Sequence, residues 1–118
     1  MKKISGYDNR IPVHGSGRTD TGVHAQGQVA HFDMNTKLDT DKLRNAINAN
    51  ISNFCRVMKV LKVKNDFHSR FDAKRRFYRY QIYNGESLLY KNQAWFKKHI
   101  DIKKLNAISK IILGKHDF

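Results

Sequence analysis

The segment Gly15–Gly22 constrains the fold of this chain most strongly, because its eight residues hold three of the seven glycines. Glycine adopts backbone conformations that other residues avoid, and it lets the main chain approach a ligand closely. A short β-rich stretch lies on each side of this segment, Arg10–His14 before it and Gly27–Asp33 after it. The pattern therefore predicts two strands joined by a tight, glycine-flanked loop.

Two helices and two further strands are predicted downstream. The first helix has three candidate capping residues at 39–41, and the second begins after Asp101 and ends at Gly114. The stretches Arg56–Val63 and Arg75–Tyr83 are rich in β-forming residues and are predicted to be strands. The order β-β-α-β-β-α predicts an α+β fold.

The positive charge of the chain is concentrated in its middle third. Residues 41–80 hold 11 basic and 3 acidic side chains, a net +8 out of +13 for the whole chain. Within them, Lys74–Tyr80 interleaves cations with aromatic rings, a combination suited to phosphate contacts and base stacking. The charge indicates a polyanionic partner such as nucleic acid, and a solvated basic face with no specific partner is the alternative.

Asp20 is the candidate catalytic group of the glycine-flanked loop. An aspartate is ionised at neutral pH, and Arg18 can support that charge or contact a phosphate or base. A carboxylate held in this way can act as a nucleophile or a general base. The structural alternative is an Asx turn, in which Asp20 bonds to its own backbone.

Three familiar catalytic patterns do not fit the loop. Val23-His24 stands where a P-loop requires Lys followed by Ser or Thr, and Gly15-Ser16-Gly17 is one residue short of a serine nucleophile elbow. The histidines and the single cysteine show no metal-ligand spacing of the HExxH or CxxC kind. No metal or organic cofactor is predicted.

Several stretches resemble the TruA family of tRNA pseudouridine synthases, and they occur in the family's order. The segment Phe67–Phe71, for example, resembles the family's F-H-A-R-F sequence, and Tyr78–Tyr80 resembles its Y-R-Y strand. The full set is Gly17–Ala25 with Gly27–Phe32, Asn48–Ile51, Phe67–Phe71, Tyr78–Asn84 and Leu113–Phe118.

This resemblance implies an isomerase that converts uridine to pseudouridine in the anticodon stem-loop of tRNA, with no cofactor. It implies that Asp20 is the catalytic aspartate, that Arg18 holds the flipped nucleotide and that Tyr78 stacks on the target base. It also implies a homodimer that binds tRNA and a pseudouridine synthase fold with helices on one face of an antiparallel or mixed sheet. Four further residues would contact RNA: Arg70, Arg76, Arg79 and His24. From the residues themselves, the lack of a long apolar run predicts no membrane association, and the single cysteine with no visible targeting segment predicts a cytoplasmic location.

The length of the chain departs from the family pattern. Only 17 residues precede Arg18, and Tyr7–Asn9 lies too close to the loop to serve as the family's first strand. We therefore expect residues 1–64 to be an N-terminal half-domain without its first strand and helix. Residues 65–118 would be a linker and the start of a second half-domain. A fragment of this kind is expected to have little activity alone, and an RNA-binding remnant without catalysis is the alternative function.

Overall fold

The structure is a computed structural model that describes residues 10–117. The predictions that concern 7–9 and Phe118 lie outside the described residues. The chain divides into two compact units, Met1–Arg76 and Phe77–Phe118. The expected division between residues 64 and 65 stays a prediction.

Two short strands of the first unit hold the ends of the glycine-flanked loop, which in the structure is the whole connection from Ser16 to Val29. β1 (His14–Gly15) pairs antiparallel with β2 (Ala30–His31), so that His14 faces His31 and Gly15 faces Ala30. The predicted pairing of the two stretches is confirmed, but the predicted lengths are wrong. Only His14 of Arg10–His14 and Ala30–His31 of Gly27–Asp33 lie in strands.

Helix α1 (Thr40–Asn48) follows, and the predicted cap is confirmed at Asp39. The backbone N–H of Lys42 donates to the Asp39 carboxylate at 2.8 Å. Chiefly because of this hydrogen bond, the pKa of Asp39 is lower than that of an ordinary aspartate. Leu43 and Ile47 lie one turn apart on the same face of α1, and both are buried.

The prediction of a strand over Arg56–Val63 is wrong. These residues form no strand, and their ordered contact is with a side chain rather than with a neighbouring backbone. The amide of Asn48 donates to the carbonyl of Val57 at 2.9 Å and accepts from the N–H of Val57 at 2.8 Å. A side-chain amide therefore provides one pair of hydrogen bonds at the end of α1, where a sheet would continue the pattern along the segment.

The second unit contains a small parallel sheet. β3 (Ile82–Asn84) pairs with β4 (Trp95–Lys97), and Ile82 lies opposite Trp95. The predicted strand Arg75–Tyr83 is therefore wrong over most of its length, because β4 reaches only the residues at its C-terminal end. β4 itself was not predicted. Gly85 directly follows β3 with a φ of +118°, as expected for the glycine of the predicted turn.

Helix α2 (Ile102–Ser109) continues into a short 3₁₀ turn, Lys110–Ile112. The predicted start after Asp101 is confirmed, since its carboxylate accepts a hydrogen bond from a first-turn N–H at 3.0 Å. The α-helix ends five residues before Gly114, earlier than predicted, because its last turn tightens to 3₁₀ geometry. The antiparallel sheet, the parallel sheet and the two helices found within residues 10–117 are consistent with the predicted α+β class.

Candidate active site

The neck of the glycine-flanked loop, which we define as Ser16 and Gly17 on one side and Gln28 and Val29 on the other, is closed by three hydrogen bonds. The N–H of Ser16 donates to the carbonyl of Val29 at 2.8 Å. The Ser16 hydroxyl donates to Oε1 of Gln28 at 2.8 Å, and Nε2 of Gln28 donates to the carbonyl of Gly17 at 2.6 Å. The two sides of the loop are therefore held together by hydrogen bonds at the point where they leave the β1–β2 ladder.

Asp20 begins a turn inside this loop. The N–H of Val23 donates to the carbonyl of Asp20 at 3.0 Å, and Gly22 between them has a φ of +83°. A positive φ at this third position is typical of a type II turn and favours glycine. A Cβ on Gly22 would meet no atom within 4 Å, so the backbone conformation, rather than a lack of space, requires the glycine.

The side chain of Asp20 is exposed. Within residues 10–117, its carboxylate makes no hydrogen bond and no ion pair, with Arg18 or with any other group. An Asx turn would require a bond from this carboxylate to the backbone, whereas the turn here is closed by main-chain groups. The oxygens of Asp20 therefore face solvent and can meet a substrate, and the catalytic role stays a prediction.

Arg76 reaches the loop from another part of the first unit. Its Nη2 donates to the carbonyl of Ser16 and to the carbonyl of Arg70, each at 3.3 Å. Arg76 thus connects the neck with the segment that carries Arg70, another predicted RNA contact. RNA binding by either arginine stays a prediction.

The Phe67–Phe71 segment is anchored to the β1–β2 sheet through Ser69, which is 3% exposed. The Ser69 hydroxyl donates to the carbonyl of His14 at 2.9 Å and lies 2.9 Å from Nδ1 of His31. The backbone N–H of Ser69 also donates to Nδ1 of His31, at 3.2 Å. All three contacts cross 38 or more residues of sequence, so they hold the segment that contains Arg70 against the β1–β2 sheet.

Histidine rings pack around this anchor. The rings of His14 and His31 are stacked with centroids 5.1 Å apart, and the ring of His68 lies 4.6 Å from that of His31. Among the described residues, no group of three or more His, Cys, Asp or Glu side chains is arranged to hold a metal ion. In this structure the three rings pack against one another, and His14 and His31 form hydrogen bonds with Ser69.

The remaining predicted residues are exposed. His24 lies in the loop of the first unit, whereas Tyr78 and Arg79 lie in the second unit. Tyr78 is 89% exposed, so its side chain is accessible from solvent. Their predicted roles are not tested by the structure.

Two residues of the site were missed from the sequence. Gln28 lies inside a stretch that resembles the family signature, but a lone glutamine carries no sign of which backbone groups it will bond. Ser69 lies in the Phe67–Phe71 segment, but a lone serine gives no sign in the sequence that its hydroxyl will contact residues 38 and 55 positions away.

Comparison with known proteins decides the family. A family model described as tRNA pseudouridine synthase matches residues 1–72, more than half of the chain. The chain belongs to the tRNA pseudouridine synthase family. The predicted family is therefore confirmed.

Individual relatives agree with this assignment. The tRNA pseudouridine synthase A of Pseudothermotoga lettingae is 45% identical over 112 residues, which cover 92% of this chain and 46% of that protein. The protein of the same name from Ehrlichia ruminantium (strain Gardel) is 48% identical over 113 residues, with the same coverage. That of Borrelia turicatae is 37% identical over 125 residues, covering 100% of this chain and 49% of the relative.

The chain thus spans about half the length of the curated relatives that it matches, consistent with the expected fragment. No solved structure was found to match it. Neither helix found in residues 10–117 is long and apolar enough to cross a membrane.

Proposed function

We propose that this protein isomerises uridine to pseudouridine in tRNA and that Asp20 is its catalytic carboxylate. The observation that carries the proposal is an exposed carboxylate without hydrogen-bonding partners among the described residues, on a turn whose loop is closed at its neck. Membership of the tRNA pseudouridine synthase family supplies the reaction. The relatives' shared name supports tRNA as the substrate.

The reaction breaks the C1′–N1 bond of uridine and forms a C1′–C5 bond in its place. C5 loses its proton to solvent and N1 gains one, so atoms balance and no electron acceptor is required. Asp20 can serve either by attacking as a nucleophile or by removing a proton as a base. In both cases its oxygens must be free to reach the nucleotide, and their exposure supports this.

The target base must leave its stack before the carboxylate can reach it. We propose that Tyr78 stacks on the flipped base, where aromatic stacking contributes about 1–3 kcal/mol per base. Arg18 would hold the nucleotide near Asp20, and His24 on the same loop would contact the RNA. The exposed guanidinium of Arg79 would bind backbone phosphates.

Arg70 and Arg76 are proposed RNA contacts as well. Arg70 is exposed, and its segment is anchored through Ser69. The two bonds of Arg76 engage only Nη2, which leaves the N–H groups on Nε and Nη1 for a phosphate.

Finer features of the family also enter as proposals. We propose the anticodon stem-loop as the part of tRNA that is bound, a homodimer as the active assembly, and the cytoplasm as the location. The proposed fold is that of the pseudouridine synthases, with helices on one face of a mixed sheet. Light scattering with and without an anticodon stem-loop RNA tests the assembly and the minimal substrate together.

Release of tritium from C5 of uridine in labelled tRNA tests the proposed reaction, because C5 loses its hydrogen only when the new bond forms. We expect Asp20→Ala to lower release by about 100-fold or more while tRNA binding is kept. Asp33→Ala is the matched control, since it removes an exposed carboxylate of the same unit, and it should leave release unchanged. Equal release by wild type and Asp20→Ala would refute the catalytic assignment. Salt-dependent tRNA binding without release would favour an RNA-binding protein.

A further inference from the structure

The side chain of Gln28 joins the two sides of the loop neck. Its Oε1 accepts from the Ser16 hydroxyl at 2.8 Å, and its Nε2 donates to the Gly17 carbonyl at 2.6 Å. A carbonyl oxygen can only accept, so the nitrogen of the amide must face Gly17. Both ends of one amide are therefore engaged with two consecutive residues across the loop.

The position of these bonds along the chain makes them relevant to Asp20. Gly17 directly precedes Arg18 and lies three residues before Asp20. Its carbonyl is held by the side chain of Gln28, from the far end of the same loop. Glycine has no side chain of its own to restrict its backbone, so a hydrogen bond to its carbonyl limits the paths that the following residues can take. Ser16 is held in addition by its N–H on Val29.

We propose that Gln28 is a positioning residue that sets the direction in which the loop delivers Asp20. The inference rests on the proposed function in that Asp20 is taken as the catalytic carboxylate. Gln28 itself need not touch the substrate, because its amide groups are directed into the neck. Its effect passes through Gly17 to the turn that Asp20 begins.

The decisive variant is Gln28→Glu, because glutamate has nearly the same shape and changes only the group that faces Gly17. As a carboxylate it places a second acceptor against the Gly17 carbonyl and the contact is lost. As a neutral acid it has an O–H that can donate there again. Glutamate usually titrates at about pH 4.3. The hydrogen bond to the Gly17 carbonyl should therefore return when the pH is lowered from about 6.5 to about 3.5.

The measurement is amide hydrogen exchange by NMR on the 118-residue chain, with protection corrected for the intrinsic rate at each pH. Near pH 6.5 we expect Gln28→Glu to lower the protection of the Ser16 and Val23 amides about fivefold to thirtyfold. Near pH 3.5 the protection should return to within about twofold of wild type at the same pH. Gln26→Glu is the matched control, since it adds the same charge at an exposed residue of the same loop, and it should show neither effect. The amide of Ile47 in α1 reports whether the fold is intact.

Gln28→Ala provides a second test, because alanine cannot form the hydrogen bond to the Gly17 carbonyl at any pH. Its loss of protection at Ser16 and Val23 should persist across the whole range. Wild-type protection of both amides in Gln28→Ala, or equal behaviour of the two glutamate variants, would overturn the inference.

Hydrogen exchange does not depend on catalysis, so the positioning role of Gln28 and the proposed function can be refuted independently of each other. Tritium release that survives Asp20→Ala would remove the proposed reaction and leave the role of Gln28 in ordering the loop. Conversely, loss of release in Asp20→Ala with unchanged exchange in Gln28→Ala would remove only the positioning role.

Discussion

Replacing Ser69 with alanine removes a hydroxyl that ties the Phe67–Phe71 segment to both strands of the β1–β2 sheet. The oxygen lies 2.9 Å from the His14 carbonyl and 2.9 Å from Nδ1 of His31. Alanine lacks only the hydroxyl oxygen of serine, so the smaller side chain should fit at this site. The expected effect therefore comes from hydrogen bonds rather than from packing.

The magnitude follows from how the single hydroxyl hydrogen can be shared. The hydroxyl has one hydrogen, which it donates to the His14 carbonyl. Its oxygen also accepts from Nδ1 of His31 only in the form of the ring that carries a proton on Nδ1. When Nδ1 carries no proton, Nδ1 instead accepts from the Ser69 backbone N–H. Ser69→Ala therefore removes one or two hydrogen bonds, each contributing about 0.5–1.5 kcal/mol net. We expect the free energy of unfolding to fall by about 0.5–3 kcal/mol.

Urea unfolding followed by circular dichroism at neutral pH measures this loss. For an m-value of about 1–3 kcal/mol/M, the midpoint should fall by roughly 1 M. Ser52→Ala is the matched control, because Ser52 is exposed and its hydroxyl makes no hydrogen bond within residues 10–117. Substitution of an exposed residue of this kind usually changes the free energy of unfolding by no more than about 0.5 kcal/mol. If Ser69→Ala and Ser52→Ala unfold at the same midpoint, the hydroxyl is not the anchor that the structure indicates.

Three further predictions concern the scaffold. Because the pKa of Asp39 is depressed in the folded state, its cap stabilises α1 above the unfolded-state pKa and is lost as pH falls through the folded-state pKa. Circular dichroism at 222 nm should therefore show that α1 loses helical signal in acid. The loss should be weaker in Asp39→Asn, because asparagine can cap a helix without titrating. Asn48→Ala should speed exchange of the Val57 amide about tenfold or more, whereas Asn48→Asp, which keeps the acceptor, should speed it less. Gly22→Ala should lower the free energy of unfolding by about 1 kcal/mol because of its positive φ, and Gly27→Ala, with no such constraint and no atom within 4 Å of a new Cβ, should not. Equal urea midpoints for the two glycine variants would contradict the account of the turn.

The helices and the loop could be predicted from the sequence because their signals are local. Asp39 and Asp101 each precede an amphipathic stretch, and a cap bonds to backbone only three residues away. The glycines of the loop likewise mark a turn by their own backbone freedom. Local chemistry of this kind needs no knowledge of the rest of the fold.

The strands were harder to predict because pairing depends on residues far apart in sequence. Arg56–Val63 has the composition of a strand, yet its ordered partner is the side chain of Asn48. β3 pairs with β4 across a ten-residue connection, and nothing in the stretch around Trp95 marked it as that partner. The same reason hid the anchor at Ser69, whose partners lie 38 and 55 residues away.

The way the loop is held bears on what Asp20 can do. An ion pair with Arg18 would engage one or both carboxylate oxygens of Asp20, and within residues 10–117 no such pair forms. The structure instead orders the loop at Ser16, Gly17 and Gln28, through groups that are neutral and several residues from the carboxylate. Order at the neck therefore leaves the lone pairs of Asp20 available.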